Sequence, residues 1–168
     1  MNNTQICNKL YEEIGNVKNL LDIGCGQGYL VNCLAKKLNS KIIGLDISKE
    51  GFNKAHRMCE RYNTCHLIEC INGDAQNTRF EADSFEAVTI VFSLHHIQNP
   101  ELALKEMFRI LKKDSKLVIV DYVIKKRKSK CRRYVLEQIK MLINNAGFAN
   151  INVKEPEKGC IYAVAKKL

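Results

Sequence analysis

"LLDIGCGQGYL", residues 20–30, decides how the rest of the chain is read. Leu20, Leu21 and Ile23 form an apolar run of strand type, interrupted by the acid Asp22. Gly24, Gly26 and Gly28 then fall at every second position, where such a strand has to turn. Glycine reaches positive φ without penalty and has no Cβ to hold a ligand away from the backbone. The stretch therefore reads as a strand ending in a bend built for close approach.

Strand-like and helix-like segments alternate outward from this bend. A short helix over residues 4–14 precedes it. A helix over residues 28–38 follows, with Leu30, Leu34 and Leu38 on one face. "KIIGLD" is a second strand. Ser48 caps the next helix, with Glu50 in its first turn and Phe52, Ala55, Cys59 and Tyr62 as its apolar stripe. "HLIECI" and "FEAVTIVF" are the third and fourth strands. Asn99-Pro100 starts a helix that buries Leu104, Met107, Phe108 and Leu111. "KLVIVDYV" is the fifth strand. Val135, Ile139, Leu142, Ile143 and Ala146 face inward from a further helix, which Gly147 stops. "INVKE" and "CIYAVA" close the chain as an antiparallel pair. The alternation predicts an α/β fold, a mostly parallel sheet with helices on both faces.

The 168 residues suit a single domain, 1–168, with residues 1–17 as a short helix or arm. No window is long and apolar enough to cross a bilayer. The opening "MNNTQICNKLYEEIGN" lacks the basic flank and apolar core of a secretory signal, so a cytoplasmic protein is expected. The eight cysteines are scattered and include no CxxC pair, so reduced thiols are expected, several of them buried. The formal charge of +9 raises the local concentration of anionic partners without identifying one. Much of it sits in one block, "KKRKSKCRR", residues 125–133.

Ligands of an open parallel sheet bind beyond the carboxyl ends of its strands. The polar residues that break the apolar runs all fall there. Asp22 and the glycines follow the first strand, Asp46 ends the second, and Asp74 follows the third. Ser93, His95 and His96 follow the fourth, and Asp121 ends the fifth. A dinucleotide fingerprint needs G-x-G-x-x-G, but Tyr29 holds the third glycine's place and the glycine comes one residue early. A P-loop is excluded, since no G-K-[ST] follows.

At "LLDIGCGQGYL" the chain resembles the class I methyltransferases that use S-adenosylmethionine. The resemblance continues in order through "GLDIS", "NGDA" and "DSFEAVTIVFSLHHIQNPELALKEMFRILKKDSKLVIVDYV". That last stretch is similar to the type 11 branch, which includes the ubiquinone and menaquinone biosynthesis methyltransferases. "AGFANINV" resembles the family's closing helix and strand. The resemblance implies a Rossmann-like seven-stranded sheet, order 3-2-1-4-5-7-6 with the last strand antiparallel. It implies S-adenosyl-L-methionine as cofactor. Asp22, Gly24, Cys25, Gly26 and Gly28 would surround its methionine half, and Asp46 would hold the ribose hydroxyls. Ile47 and Ala75 would flank the adenine, Asp74 would accept from its amine, and Ser93 would lie beside the sulfonium. A carboxylate can accept two donors at once, which independently suits Asp46 to a vicinal diol.

The implied reaction is in-line methyl displacement to an unidentified acceptor, with His95 and His96 as candidate bases if the acceptor loses a proton. The family points to a small-molecule acceptor. Little chain is left over for a lid, so a homodimer or partner subunit could complete an open acceptor side. The basic block 125–133 could instead guide RNA or another anionic acceptor. The alternative to an enzyme is a cofactor-binding scaffold without turnover. The cluster His56, Cys59, Cys65, His66 and Cys70 has metal-ligand chemistry, yet Cys59 belongs to an apolar stripe and Cys65 and His66 point to opposite faces, so no metal is expected.

Overall fold

The structure, a computed structural model, describes residues 1–123, 134–157 and 159–168. The basic block 125–133 and Cys131 lie outside the described residues. In chain order the elements are α1 (Asn3–Ile14), β1 (Asn19–Ile23), α2 (Tyr29–Leu38), β2 (Lys41–Asp46), α3 (Phe52–Tyr62) and β3 (Ile68–Asn72). They continue with β4 (Phe85–Val91), α4 (Pro100–Ile110), β5 (Leu111–Tyr122), α5 (Leu136–Asn145), β6 (Ala149–Glu157) and β7 (Cys160–Lys166). A single 3-10 turn, Leu94–His96, separates β4 from α4.

One seven-stranded sheet runs β3-β2-β1-β4-β5-β7-β6, the order the resemblance implies. All pairings from β3 to β5 are parallel, and β7 runs antiparallel to both β5 and β6. Strand side chains alternate between faces, and the two faces carry separate cores. Leu20, Ile42, Val118 and Val120 pack under α1 and α2 through Ile6, Leu10, Val31 and Leu34. Leu21, Ile23, Val88, Ile90 and Ile119 pack under α4 and α5 through Leu104, Met107, Ile139 and Ile143. Each such side chain contributes roughly 1.5–3 kcal/mol by leaving water.

Local departures from the sequence reading have physical causes. Ser48 does not cap α3. Its hydroxyl accepts from Glu50 N at 3.2 Å, and the helix begins four residues later, after Gly51. A Cβ at residue 51 would lie 2.0 Å from Gly26 O, so the start of α3 is set by packing against the glycine bend. The buried face of α2 is Val31, Asn32, Leu34 and Ala35, rotated from the stripe expected, and Leu30 and Leu38 are half-buried. Val135 precedes α5 and is partly exposed rather than core. Leu111 opens β5 opposite Phe85 instead of ending α4.

The cysteines depart from the expectation of reduced thiols. Cys7 of α1 is bonded to Cys33 of α2, and Cys59 of α3 to Cys65 in the turn that follows. Packing of the two helices brings the first pair together, and the short turn after α3 the second. Cys25, Cys70 and Cys160 are free. Among the described residues no three His, Cys, Asp or Glu side chains converge to hold a metal ion, and no helix is long and apolar enough to cross a membrane.

Candidate functional site

The three glycines of the bend answer to different neighbours. All have positive φ, at 71°, 50° and 74° for Gly24, Gly26 and Gly28. A Cβ at Gly24 would lie 2.2 Å from Ser93 Oγ, and one at Gly28 would lie 2.3 Å from the Ala55 Cβ of α3. One at Gly26 would meet nothing within 4 Å. Gly24 and Gly28 therefore let the bend pack against Ser93, just after β4, and against α3. Gly26 is the one that presents bare backbone to open space.

Asp46 ties this bend to β2. Its Oδ2 accepts from Gly26 N at 2.8 Å and its Oδ1 from Ser48 N at 2.9 Å. Each oxygen has a second lone pair for a ligand donor. Asp22 lies beneath, only 2% exposed, and accepts from Thr89 Oγ1 at 2.7 Å. Burial pushes its carboxyl up to about 7. The Thr89 hydroxyl opposes the rise, and the Asp46 charge adds to it. Thr89 stands in register with Asp22 on the neighbouring strand. Its signal in the sequence was a lone hydroxyl inside "FEAVTIVF".

A cavity of about 390 Å³ opens at this edge, within the range of small-molecule sites. Of the residues expected from sequence, Gly24, Asp46, Ile47, Asp74, Ala75, Ser93 and His96 line it. Ile47 is 76% exposed, an apolar side chain held at the rim. Asp74 is engaged by Gln76, which donates through its backbone N at 2.8 Å and its side-chain amide at 3.1 Å to each oxygen. Ser93 Oγ donates toward Gly24 O and Val91 O.

Asp22, Cys25, Gly26, Gly28 and His95 are not on the lining. The Cys25 side chain turns away from the cavity toward Gly44. His95 is drawn into the protein by Asp121, which is fully buried. Asp121 Oδ2 accepts from His95 N at 3.0 Å, and its Oδ1 lies in hydrogen-bond contact with His95 Nδ1 at 2.6 Å. The rings of His95 and His96 sit 4.0 Å apart. The pair thus divides, with His96 on the wall and His95 behind it.

Sequence reasoning missed Gln76, Ile97 and Gln98 on the lining. Neutral amides and a lone isoleucine in a loop carry no periodic or charge signal. A larger groove, about 590 Å³, lies between the start of α4 and α5, lined by Gln98, Asn99, Tyr134, Gln138, Met141 and Leu142 among others. It shares Gln98 with the first cavity but has none of the strand-end acids, so the smaller cavity is the better candidate for a charged nucleoside.

The donor set fits S-adenosylmethionine on these observations. Bare backbone at Gly26 leaves room for the amino-acid half, two carboxylates suit a cationic ligand, and Asp46 retains capacity for a diol. Ile47 and Ala75, both on the lining, offer apolar surface for a flat base.

The family model described as a methyltransferase domain, type 11, matches residues 21–119. The 2-phytyl-1,4-beta-naphthoquinone methyltransferase of Arabidopsis thaliana is 37% identical over 107 residues, 61% of this chain and 41% of that protein. The demethylmenaquinone methyltransferase of Lactobacillus johnsonii is 34% identical over 103 residues, 60% of this chain and 42% of that protein. The chain thus spans about two fifths of the length of these curated relatives. A SAM dependent methyltransferase from Aquifex aeolicus superposes with a TM-score of 0.82 at 20% identity, covering 96% of this chain and 89% of that one, which shows the shared fold.

Proposed function

The chain belongs to the type 11 branch of the class I S-adenosylmethionine-dependent methyltransferases, and from that premise we propose that it moves a methyl group to a small-molecule acceptor at the cavity beside Gly26 and Asp46. The observation that carries the reading is the Asp46 carboxylate, bonded to Gly26 N and still able to accept, on the wall of a cavity of nucleoside size.

When bound, the cofactor supplies an electrophilic methyl group on a sulfonium cation. Asp46 would accept from the ribose hydroxyls, while Ile47 and Ala75 would hold the adenine and Asp74 would take its amine. Gly24 and Ser93, on the lining, would form the bed of the methionine half, with Asp22, Cys25, Gly26 and Gly28 shaping the bend behind it. The protein's work is positioning, which can contribute about 7–11 kcal/mol. His96, on the wall, is the group placed to take a proton from an acceptor that must lose one. Asp121 and His95 hold it from behind.

Residues 1–168 act as one methyltransferase domain on this reading. The relatives are named for naphthoquinones, so reduced demethylmenaquinone is the first acceptor to test. A homodimer or partner subunit that covers the acceptor side, and an RNA guided by residues 125–133, are rival arrangements that a salt series and sizing of the active species separate. Cytoplasmic residence also belongs to this reading. The two bonded cysteine pairs weigh against a strongly reducing compartment, and thiol trapping in intact cells decides the point.

Hydrogen bonds to a charged acceptor contribute about 1.5–3 kcal/mol each, so Asp46→Ala weakens S-adenosylhomocysteine binding tenfold or more in titration calorimetry. Wild-type affinity in that variant overturns the assignment. Transfer of labelled methyl to the quinol, absent when the quinol is omitted, tests the reaction itself.

A further inference from the structure

Gly44, in the middle of β2, is flanked in register by Asp22 on β1 and by Cys70 on β3. Register partners in a parallel sheet point to the same face. Cys70 therefore stands beside the bare α-carbon of Gly44, on the side where a Cβ would project. A Cβ built at Gly44 would lie 2.8 Å from Cys25 Sγ. The Cys25 sulfur fills the space that the absent side chain leaves, which sets it beside Cys70, and the two thiols shift each other's acidity.

The two cysteines differ in setting. Cys25 belongs to the glycine bend, 7% exposed, with its backbone N donating to Leu45 O at 3.2 Å. Cys70 is on the edge strand of the sheet and only half-buried, so a reagent can reach it. The Cys70 thiol, and then burial, push the Cys25 thiol up, whereas Cys25 holds Cys70 below its ordinary value. Cys70 is thus the sulfur that reacts first, since the thiolate is the nucleophile.

We propose that Cys25 and Cys70 are a reversible oxidation site for disulfide reagents such as glutathione disulfide, and that the bond between them withdraws the glycine bend from its ligand. The second half rests on reading that bend as the cofactor bed. Cys70 loses its proton and attacks one sulfur of glutathione disulfide. The S–S bond breaks, and the first glutathione leaves as a thiolate that takes up the proton. Cys25 then attacks the Cys70 sulfur, gives up its own proton, and releases the second glutathione. Two protein thiols are oxidised to one disulfide, and one glutathione disulfide is reduced to two thiols.

A disulfide holds its sulfurs at about 2.05 Å, closer than two neighbouring thiols, so the backbones must approach. β3 is paired with β2 from Ile68 to Asn72 and resists movement. The bend has positive φ at Gly24 and Gly26 and is held to β2 by Gly24 N and Cys25 N on Leu45 O and by Gly26 N on Asp46, so pulling the Cys25 sulfur toward Cys70 strains those bonds directly. Displacing the bend breaks the alignment of Gly26 N with Asp46.

The test uses the full chain, reduced and then incubated with glutathione disulfide. Peptide mapping without reductant is expected to find a Cys25–Cys70 link. Calorimetry is expected to show S-adenosylhomocysteine binding weakened at least about tenfold and restored by dithiothreitol. Cys70→Ser is expected to bind like the reduced protein and to ignore the oxidant. Absence of the link, or a link that leaves affinity unchanged, overturns the proposal. Both wild-type readouts stand if the variant does not fold. Reduced protein that fails to bind S-adenosylhomocysteine overturns the cofactor reading instead, and the map still decides whether the pair closes.

Discussion

Alanine at Gly26 meets open space, so its cost is confined to backbone strain at φ 50°, about 1–2 kcal/mol. Alanine at Gly24 or Gly28 adds a collision with Ser93 or Ala55 and is expected to cost about 3 kcal/mol or more. Urea unfolding should therefore rank Gly26→Ala as the mildest of the three, while calorimetry finds that it no longer binds S-adenosylhomocysteine. Equal destabilisation by all three would show that Gly26 too serves packing alone. Asp22 makes a prediction of a different kind. Its carboxyl sits at about 7 in the folded protein against an ordinary value of 3.8. Between those values the folded state holds a proton that the unfolded chain has lost. The contribution of Asp22 to stability is thus full below about pH 4, falls by a few kcal/mol as pH rises toward 7, and then levels off. Asp22→Asn keeps an oxygen for the Thr89 hydroxyl and removes the charge. Urea unfolding from pH 5 to 8 should show this slope in the wild type and a flatter one in the variant. The glycine spacing and the acid were both legible in the sequence. Which glycine faces space, and which acid is buried, depend on Ser93, Ala55 and Thr89, side chains distant in the chain.

Among the elements, α2 shows where periodicity ends as a guide. Its apolar stripe was visible, but Asn32 lies on the buried face. Its amide donates to Gly28 O at 2.9 Å and Ala55 O at 3.2 Å, and its Oδ1 accepts from Thr64 Oγ1 at 2.6 Å. This one side chain fastens the end of the glycine bend to α3 and to the turn after it. A hydropathy pattern scores it as solvent-facing, since nothing local tells a satisfied buried amide from an exposed one. Asn32→Ala is expected to cost about 1–3 kcal/mol, the penalty for leaving buried polar partners without a bond. It should also weaken S-adenosylhomocysteine binding although it touches no ligand. A change below about 0.5 kcal/mol in urea unfolding would assign the fastening to backbone contacts instead. Ser48 gives the complementary case. The sequence offers it as the cap of α3, but the contact of Gly51 with Gly26 O starts the helix four residues later and leaves Ser48 outside it. Ser48→Ala should accordingly change stability by less than about 0.5 kcal/mol, a surface-sized effect.

At the scale of the molecule, parallel topology turns separate loops into one site. β1 to β4 all run the same way, so the segments after them share one edge and the segments before them share the other. That much follows from alternation of strand and helix, and it is why the acids at strand ends were legible as a group. The reversal at β7 needed family resemblance, because an antiparallel closing pair in a chain fits more than one place in a sheet. The described geometry adds that Asp46 bonds to Gly26 and that Gln76 joins Asp74 to Asn99 through its carbonyl, so the loops are already linked to each other before any ligand arrives. A ligand at that edge should therefore slow amide exchange together in residues 24–28, 46–48, 73–76 and 93–98. Residues 39–40, 63–67 and 81–84, at the far ends of the same strands, should exchange as before. Binding at a hundredfold excess over Kd stabilises by about 2.7 kcal/mol, which for a chain of this size raises Tm by roughly 5–10 °C. Protection confined to one loop would mean that the edge is not a single site, because a nucleoside large enough to fill the cavity must touch the loops of at least three strands at once.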